Sequence, residues 1–397
     1  MSEHPSRRAF LHSLGLGSGA LYIQGCSTGA PIIAGFEEEP LEEGQSARWE
    51  PTVSRKVRVG IVGYGHCRFG SKFSFQDHPN VEVVAVSDLI PERCAELARE
   101  CRCETTYPSL EELVKDDRIE AVFVATDAPS HARHCIEVLR HGKHVACAVP
   151  AVFGSLEEAD ELLEAVQTSG RKYMMFETSS FRADCYAMRT IYKAGGFGRI
   201  TFSEGEYFHY TAKPIPSYKN WRVGLPPLWY PTHSTAYYVG VTDHWFTSVS
   251  CTGSAGNFPE YRPKGNSYNN PFSDEIALFE TSEGGTSRML KCRSTFKKGG
   301  EAGRVFGEKG WMSGTNYRGS MKKLPDIRRP ALPPGVRPGG HGGSHGPLTN
   351  EFVLSILEDR KPLIDIAQSL NMTVPGIIAH QSALRDGERL PVPHYKA

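Results

Sequence analysis

The stretch Tyr230-Pro231-Thr232-His233-Ser234-Thr235-Ala236-Tyr237 sets a histidine and a tyrosine four positions apart. If it ends a loop and enters a helix, His233 and Tyr237 share one face, one turn apart. A neutral imidazole can accept the proton that leaves an alcohol, so His233 is the candidate base, with Tyr230, Tyr237 and His209 as helpers. The alternative is that His233 caps the helix and Tyr237 packs in a core. His209 belongs to the segment Ile200 to Tyr210, which reads as a long strand whose two-residue period puts Tyr207 and His209 on one face. Trp221, Trp229 and Tyr230 could stack on the C–H faces of a ring or fill a core. Arg222 beside Trp221 can hold a hydroxyl or a carboxylate. His341 and His345 lie in GGHGGSHG, a glycine-rich loop that either closes over a ligand as a lid or leaves its histidines in solvent. The pair lacks a third ligand of clear spacing, so no metal site is expected.

A second group of residues reads as a nucleotide site. Val57 to Val62 is a buried-strand run that feeds directly into Gly63-Tyr64-Gly65-His66-Cys67-Arg68. Gly63 permits a tight turn, and Gly65 lets the backbone approach a pyrophosphate at the N-terminus of the following helix. The third glycine of the usual GxGxxG pattern is missing: Arg68 stands there, and Gly70 comes two positions late. Val81 to Ser87 is a second strand ending in Asp88, whose carboxylate can accept both ribose hydroxyls and would repel a 2′-phosphate. NAD is therefore expected rather than NADP.

The elements that must position these residues alternate. A helix begins at Pro91, a short strand lies near Thr106, and Ser109-Leu110-Glu111-Glu112 is a capping box. A strand then covers Ala121 to Thr126, a helix Asp127 to His141 and a strand His144 to Cys147, and Ser155 caps the next helix. This is the rhythm of a doubly wound parallel sheet in an α/β protein.

At 397 residues two domains are the default. Lys+Arg and Asp+Glu balance at 45 each, so no global field draws the chain to nucleic acid or to an anionic membrane surface. The 10 cysteines show no CxxC pair and no zinc spacing, and read mostly as small core residues.

Ser6-Arg7-Arg8-Ala9-Phe10-Leu11, followed by a short apolar run, resembles a twin-arginine export signal. Ile23-Gln24-Gly25-Cys26 resembles a lipoprotein cleavage box, so the only membrane contact expected is a lipid on Cys26. The domain reading is 1–30 signal, 31–54 linker, 55–178 NAD-binding domain and 179–397 substrate and oligomerisation domain with C-terminal helices.

GYGHCRFG, VSDLIPERC, VATDAPSHARHCIEVLRHGKHV and HGPLTNEFVLSILEDRKPLIDIAQSLN together resemble the glucose-fructose oxidoreductase / inositol dehydrogenase / MocA family. The resemblance implies a Rossmann domain followed by an α/β domain whose open, largely antiparallel sheet faces the nicotinamide and carries a homo-oligomer contact. It implies a carbohydrate substrate, with His233 and Tyr237 at positions that touch the sugar and Trp221, Arg222 and His341 near it. It extends the cofactor contacts from Gly63, Gly65 and Asp88 to His66, Arg93, Thr126, His131 and Pro150. The family's Glu-Lys-Pro signature reads Ala148-Val149-Pro150 here, and valine moves no proton, so an acid/base group must come from elsewhere. Val149, Met174-Met175-Phe176-Glu177, Trp221-Arg222 and Gly340-His341-Gly342-Gly343 resemble the branch of exported NAD-dependent α-N-acetylgalactosaminidases. In that branch a glutamate stands at Ala148 and a tyrosine at Phe181. Little free NAD exists outside the inner membrane. An exported enzyme of this kind is therefore expected to hold its dinucleotide tightly and return it to its starting state. The remaining alternatives are a glycosidase or lyase using transient oxidation, and a sugar-binding module without catalysis.

Overall fold

Parallel strands packed under helices must be apolar on both faces, and Val57–Val62 is buried except at Arg58. This run is β1 of a six-stranded parallel sheet in the computed structural model, which describes residues 53–296 and 300–396. With β2 (Val81–Ser87), β3 (Thr106–Tyr107), β4 (Ala121–Val124), β5 (His144–Cys147) and β6 (Tyr173–Met175), the spatial order is β3-β2-β1-β4-β5-β6. The order reverses between β1 and β4, so a crevice opens beyond their carboxyl ends.

The local signals act as read. The Ser109 side chain accepts the Glu112 N–H at the start of helix Leu110–Leu113, and Ser155 Oγ accepts the Glu158 N–H at 3.1 Å. The helix expected from Asp127 starts as a 3-10 turn, Ala128–Ser130, and continues as His131–Arg140.

The second sheet has eight strands: β7 (Ile200–Phe208), β8 (Phe246–Ser254), β9 (Asp274–Thr281), β10 (Thr286–Cys292), β11 (Glu301–Gly307), β12 (Gly310–Ser313), β13 (Asn316–Gly319) and β14 (Leu390–Pro391). Their order is β13-β12-β11-β7-β10-β9-β8-β14, antiparallel throughout except for the β7–β10 pair. β7 stops at Phe208, so His209 lies just past its end rather than within it.

The C-terminal helices divide between the sheets, Ile366–Ala383 packing on β8 of the second, where Ser382 Oγ accepts the Cys251 N–H at 2.9 Å. Helix His345–Leu357 returns to the first layer, where Thr349 Oγ1 donates to Phe73 O at 2.6 Å and Phe352 packs edge-on to Phe75 and Phe176. The nine cysteines among the described residues are unpaired, and all but Cys67 are buried. No helix among the described residues is long and apolar enough to cross a membrane. The twin-arginine segment, the Ile23 to Cys26 box and the linker up to residue 52 lie outside the described residues.

Candidate active site

The turn after β1 takes the shape its glycines permit. Gly63 has φ 95°, and a Cβ there would run into the Ala125 carbonyl, while at Gly65, φ 60°, a Cβ would meet only open space. The Gly63 N–H donates to Ser87 O and the Tyr64 N–H to Asp88 Oδ2, both at 2.8 Å, which laces the turn to the end of β2. Asp88 Oδ1 accepts the Ile90 N–H at 2.9 Å, so the carboxylate is fixed by backbone from both sides. The helix expected next is a single turn, Phe69–Lys72, entered through left-handed Arg68. Gly70 falls where a Cβ would lie 2.5 Å from Gly63 O and 2.9 Å from Leu97 Cδ1. It therefore provides the close packing of the absent third glycine, two positions later than the usual motif.

Above this turn lies a cavity of about 480 Å³ whose lining includes Gly63, Gly65, His66, Asp88, Arg93 and Thr126. A bare glycine backbone, open space over Gly65 and an anchored carboxylate at the end of β2 are the features a dinucleotide requires. His131 and Pro150 are not in the lining. His131 Nδ1 bonds Pro150 O at 2.8 Å and Nε2 bonds Thr126 O at 3.2 Å, so this histidine ties together the segments after β4 and β5.

On the inner face of the second sheet one rung of paired residues crosses four strands: Glu275 on β9, Lys291 on β10, Tyr207 on β7 and Glu301 on β11. The next rung is Ala277, Met289, Gly205 and Gly303. A Cβ on Gly205 would overlap the Ser234 carbonyl, and one on Gly303 the Tyr237 ring. This bare backbone lets the short helix Thr232–Thr235 lie directly on the sheet, which sets the His233 ring 4.7 Å from that of Tyr207. Gly205→Ala is accordingly expected to destabilise the protein by about 1–3 kcal/mol, measurable as a lower denaturant midpoint. An unchanged midpoint would mean that the helix seat is not tight.

His233 Nδ1 lies 2.9 Å from Glu177 Oε1, 3.3 Å from Thr178 Oγ1 and 3.8 Å from Glu301 Oε1. Glu177 follows β6, and its Oε1 also accepts the Ser179 N–H at 2.8 Å. Burial pulls the His233 pKa down, but the Glu177 carboxylate, then Glu301, more than reverses this, and the net shift is upward. With a carboxylate at Nδ1, that nitrogen carries the proton. Nε2 has no hydrogen bond among the described residues. Tyr230 and His341 complete the wall of rings around the imidazole, at 5.6 and 6.0 Å.

Among known proteins, the oxidoreductase family with an NAD-binding Rossmann fold (GFO_IDH_MocA) matches residues 57–177. The match covers the first sheet and its helices and is a likeness to that family's Rossmann domain. The chain is 31% identical over 179 residues to glycosyl hydrolase family 109 protein 1 of Bacteroides fragilis, covering 42% of this chain and 38% of the relative. It thus spans about two-fifths of the length of that curated relative. A glycosyl hydrolase family 109 protein of Saccharopolyspora erythraea is 22% identical across 98% of this chain and 94% of its own. Levoglucosan dehydrogenase, solved in complex with NADH and levoglucosan, superposes with a TM-score of 0.71 at 16% identity, covering 86% of this chain and all of that one. At that identity the likeness is one of fold.

In this Gfo/Idh/MocA fold the expected site residues divide. His233 and Tyr230 stay together, while the helix ends at Thr235 and Tyr237 packs on Gly303 with its hydroxyl donating to Asp184 Oδ2 at 3.0 Å. His209, beyond β7, keeps its ring 5.2 Å from Tyr207. Trp221 lines the cofactor cavity and carries the Arg222 guanidinium 4.2 Å over its ring, whereas Trp229 packs among Phe153, Tyr268 and His380.

The GGHGGSHG loop is packed, with both of its histidines buried. His341 Nδ1 meets His345 Nε2 at 2.9 Å, His345 Nδ1 meets Lys72 O at 3.1 Å, and the Arg329 guanidinium binds the carbonyls of Gly342 and Gly343. Its glycines make room for neighbours: a Cβ on Gly342 would lie 2.7 Å from Arg182 Nη1. Burial lowers the pKa of both histidines, that of His345 to about 4. Among the described residues no three His, Cys, Asp or Glu side chains converge as a metal site.

Glu177, Glu301 and Lys291 were not singled out from sequence for any role. The available signal was Glu177's place at the carboxyl end of a parallel strand, where α/β folds gather their ligands. Two contacts join His233 to the cofactor cavity. Phe69 in the lining stacks on His341 at 6.3 Å, and Arg222, also in the lining, lies 6.0 Å over Tyr230. His233 itself is only 2% exposed and reaches the cavity lining only through its neighbours Tyr230 and His341.

Proposed function

We propose that this protein holds NAD tightly and acts on a sugar or sugar derivative, oxidising a ring carbon and later reducing it, so that the cofactor ends as it began. The observation that carries the reading is the buried Glu177–His233 pair, one side chain behind the wall of the dinucleotide cavity. The amides of the Gly63–Gly65 turn would hold the pyrophosphate and Asp88 the ribose hydroxyls, with His66, Arg93 and Thr126 along the wall. Bound NAD would supply a nicotinamide able to take a hydride from a carbinol carbon and give it back. Glu177 fixes the Nδ1–H form of His233, leaving Nε2 to take the proton of the substrate hydroxyl. Glu177 and Glu301 stabilise the imidazolium that results. Tyr207 and Tyr230 exclude water from that nitrogen. Val149 contributes no proton, so His233 supplies the base function implied for the family's lysine. A sugar reaches His233 when the Arg222 and Tyr230 side chains shift.

The glycosyl hydrolase family 109 relatives support a second reading, in which oxidation acidifies a neighbouring C–H and permits elimination of a glycosidic substituent. Ala148 and Phe181 lack the polar groups of that branch and support a different leaving group. A screen of sugars and glycosides against cofactor-loaded protein, reading nicotinamide redox state and sugar products together, separates the two. Bound NAD that no sugar reduces would leave the binding module as the surviving interpretation.

His233 must be neutral to accept a proton, and its pKa is raised above the usual 6.5. kcat/KM is therefore expected to fall with decreasing pH along a limb centred above that value. Glu177→Gln should move this limb to lower pH, and an unmoved limb would remove Glu177 from the coupling. Export by the twin-arginine route, with or without a lipid on Cys26, fits a cofactor carried outward by an already folded protein. A second copy fits the outer face of the large sheet, where Ile276, Leu278 and Trp311 are exposed. Leu278→Glu is expected to give a smaller species on gel filtration, and an unchanged elution volume would move the contact elsewhere.

A further inference from the structure

Beside His233 the inner sheet face encloses a second, smaller cavity of about 40 Å³, whose polar lining comes from His209, Thr211, Arg222, Ser273, Lys291 and Arg293. Arg222 lines both this cavity and the one assigned to the cofactor. The charges here do not balance. Arg293 is paired with Glu260 at 2.5 Å. Glu275, the nearest carboxylate on the rung, is already engaged by His380 at 2.5 Å and by the Leu228 N–H at 2.8 Å. The Lys291 ammonium makes no hydrogen bond or ion pair among the described residues, and neither does the Arg222 guanidinium have a carboxylate partner there. Lys291 is 8% exposed and lies over the faces of Tyr230 at 4.7 Å and Tyr207 at 5.6 Å, the two rings that flank His233.

An unpaired buried cation is costly, and a second cation in the same wall makes it more so. Burial, then Arg222, pulls the Lys291 ammonium down to about 7, with Glu275 opposing and Arg293 adding to the fall. An anion placed between the two would reverse that cost, with the guanidinium offering its planar fork and the ammonium a point charge. Cation–π contact with Tyr230 orients Lys291 but leaves its charge uncancelled.

We infer that Lys291 and Arg222 form an anion-binding subsite beside the reacting carbon, which selects sugars bearing a carboxylate or a sulfate ester over neutral sugars. This rests on the sugar reading above and names the substrate class for the same site.

The test is calorimetric titration of the cofactor-loaded protein with D-glucuronate, D-galacturonate and D-glucose 6-sulfate against D-glucose and D-galactose. At least one acidic sugar is expected to bind about tenfold or more tighter than its neutral counterpart. Comparing the uronate and sulfate arms tells which anion the site prefers. Lys291→Met, which removes the charge at similar volume, is expected to erase that margin, and inorganic sulfate is expected to compete with the acidic sugar in the unaltered protein. Equal affinity for acidic and neutral sugars would overturn the subsite while leaving the sugar reading intact. A margin that survives Lys291→Met in a folded variant would overturn it as well. Failure of every sugar to bind would overturn both.

Discussion

His233→Ala is expected to lower turnover roughly a thousandfold while leaving cofactor content unchanged, because it removes the proton acceptor without touching the dinucleotide cavity. The imidazole is held from one side only: its Nδ1 faces Glu177, and the rings of Tyr207, Tyr230 and His341 surround it. Glu177→Gln is expected to cost less, since the amide still fills the space and can still orient the ring, but it no longer stabilises the imidazolium. Turnover measured on protein of matched cofactor content checks both. Near-normal turnover in the alanine variant would remove His233 from the chemistry and return attention to Lys291, the buried base on the sheet rung beneath it.

The second large effect is expected at Gly63. A valine there must adopt φ 95° with its Cβ driven into the Ala125 carbonyl, a strain of about 1–3 kcal/mol before any clash is counted. Because the same turn is tied to Ser87 and Asp88, the displacement passes directly to the carboxylate that would hold the ribose. Affinity for NAD should fall by about a hundredfold or more in Gly63→Val, read by equilibrium dialysis against free NAD. The second sheet lies apart from this turn, so the variant should still fold. Wild-type affinity would show that this turn does not contact the cofactor.

These two residues also mark what local sequence could and could not show. Gly63, Asp88 and the strands that carry them were legible because the information is local: an apolar run, a glycine and an acid at the next strand end. Gly70 shows the limit of pattern matching, since its spacing is wrong for the motif while its packing against Gly63 O and Leu97 is what the motif provides. The catalytic neighbourhood was half legible. His233 stood out by type, but Lys291 and Glu301 are aligned by register across β10, β7 and β11, and Glu177 comes from the end of β6 in the other sheet. No short-range signal encodes that register. The helix read as running on to Tyr237 ends at Thr235, and Tyr237 is fully buried with its hydroxyl on Asp184. The histidines of GGHGGSHG, read as lid or solvent residues, are buried instead, since its glycines serve close packing with Arg329 and His345 bonded to the loop.

The most direct test is rapid mixing of cofactor-loaded protein with its best sugar from the screen, following the near-ultraviolet absorbance of reduced nicotinamide through one turnover. The expected trace rises as the ring carbon is oxidised and decays as product forms, with no reduced cofactor in the filtrate. Product formation with a flat trace, or reduced cofactor accumulating in solution with each turnover, would contradict a tightly held and restored dinucleotide.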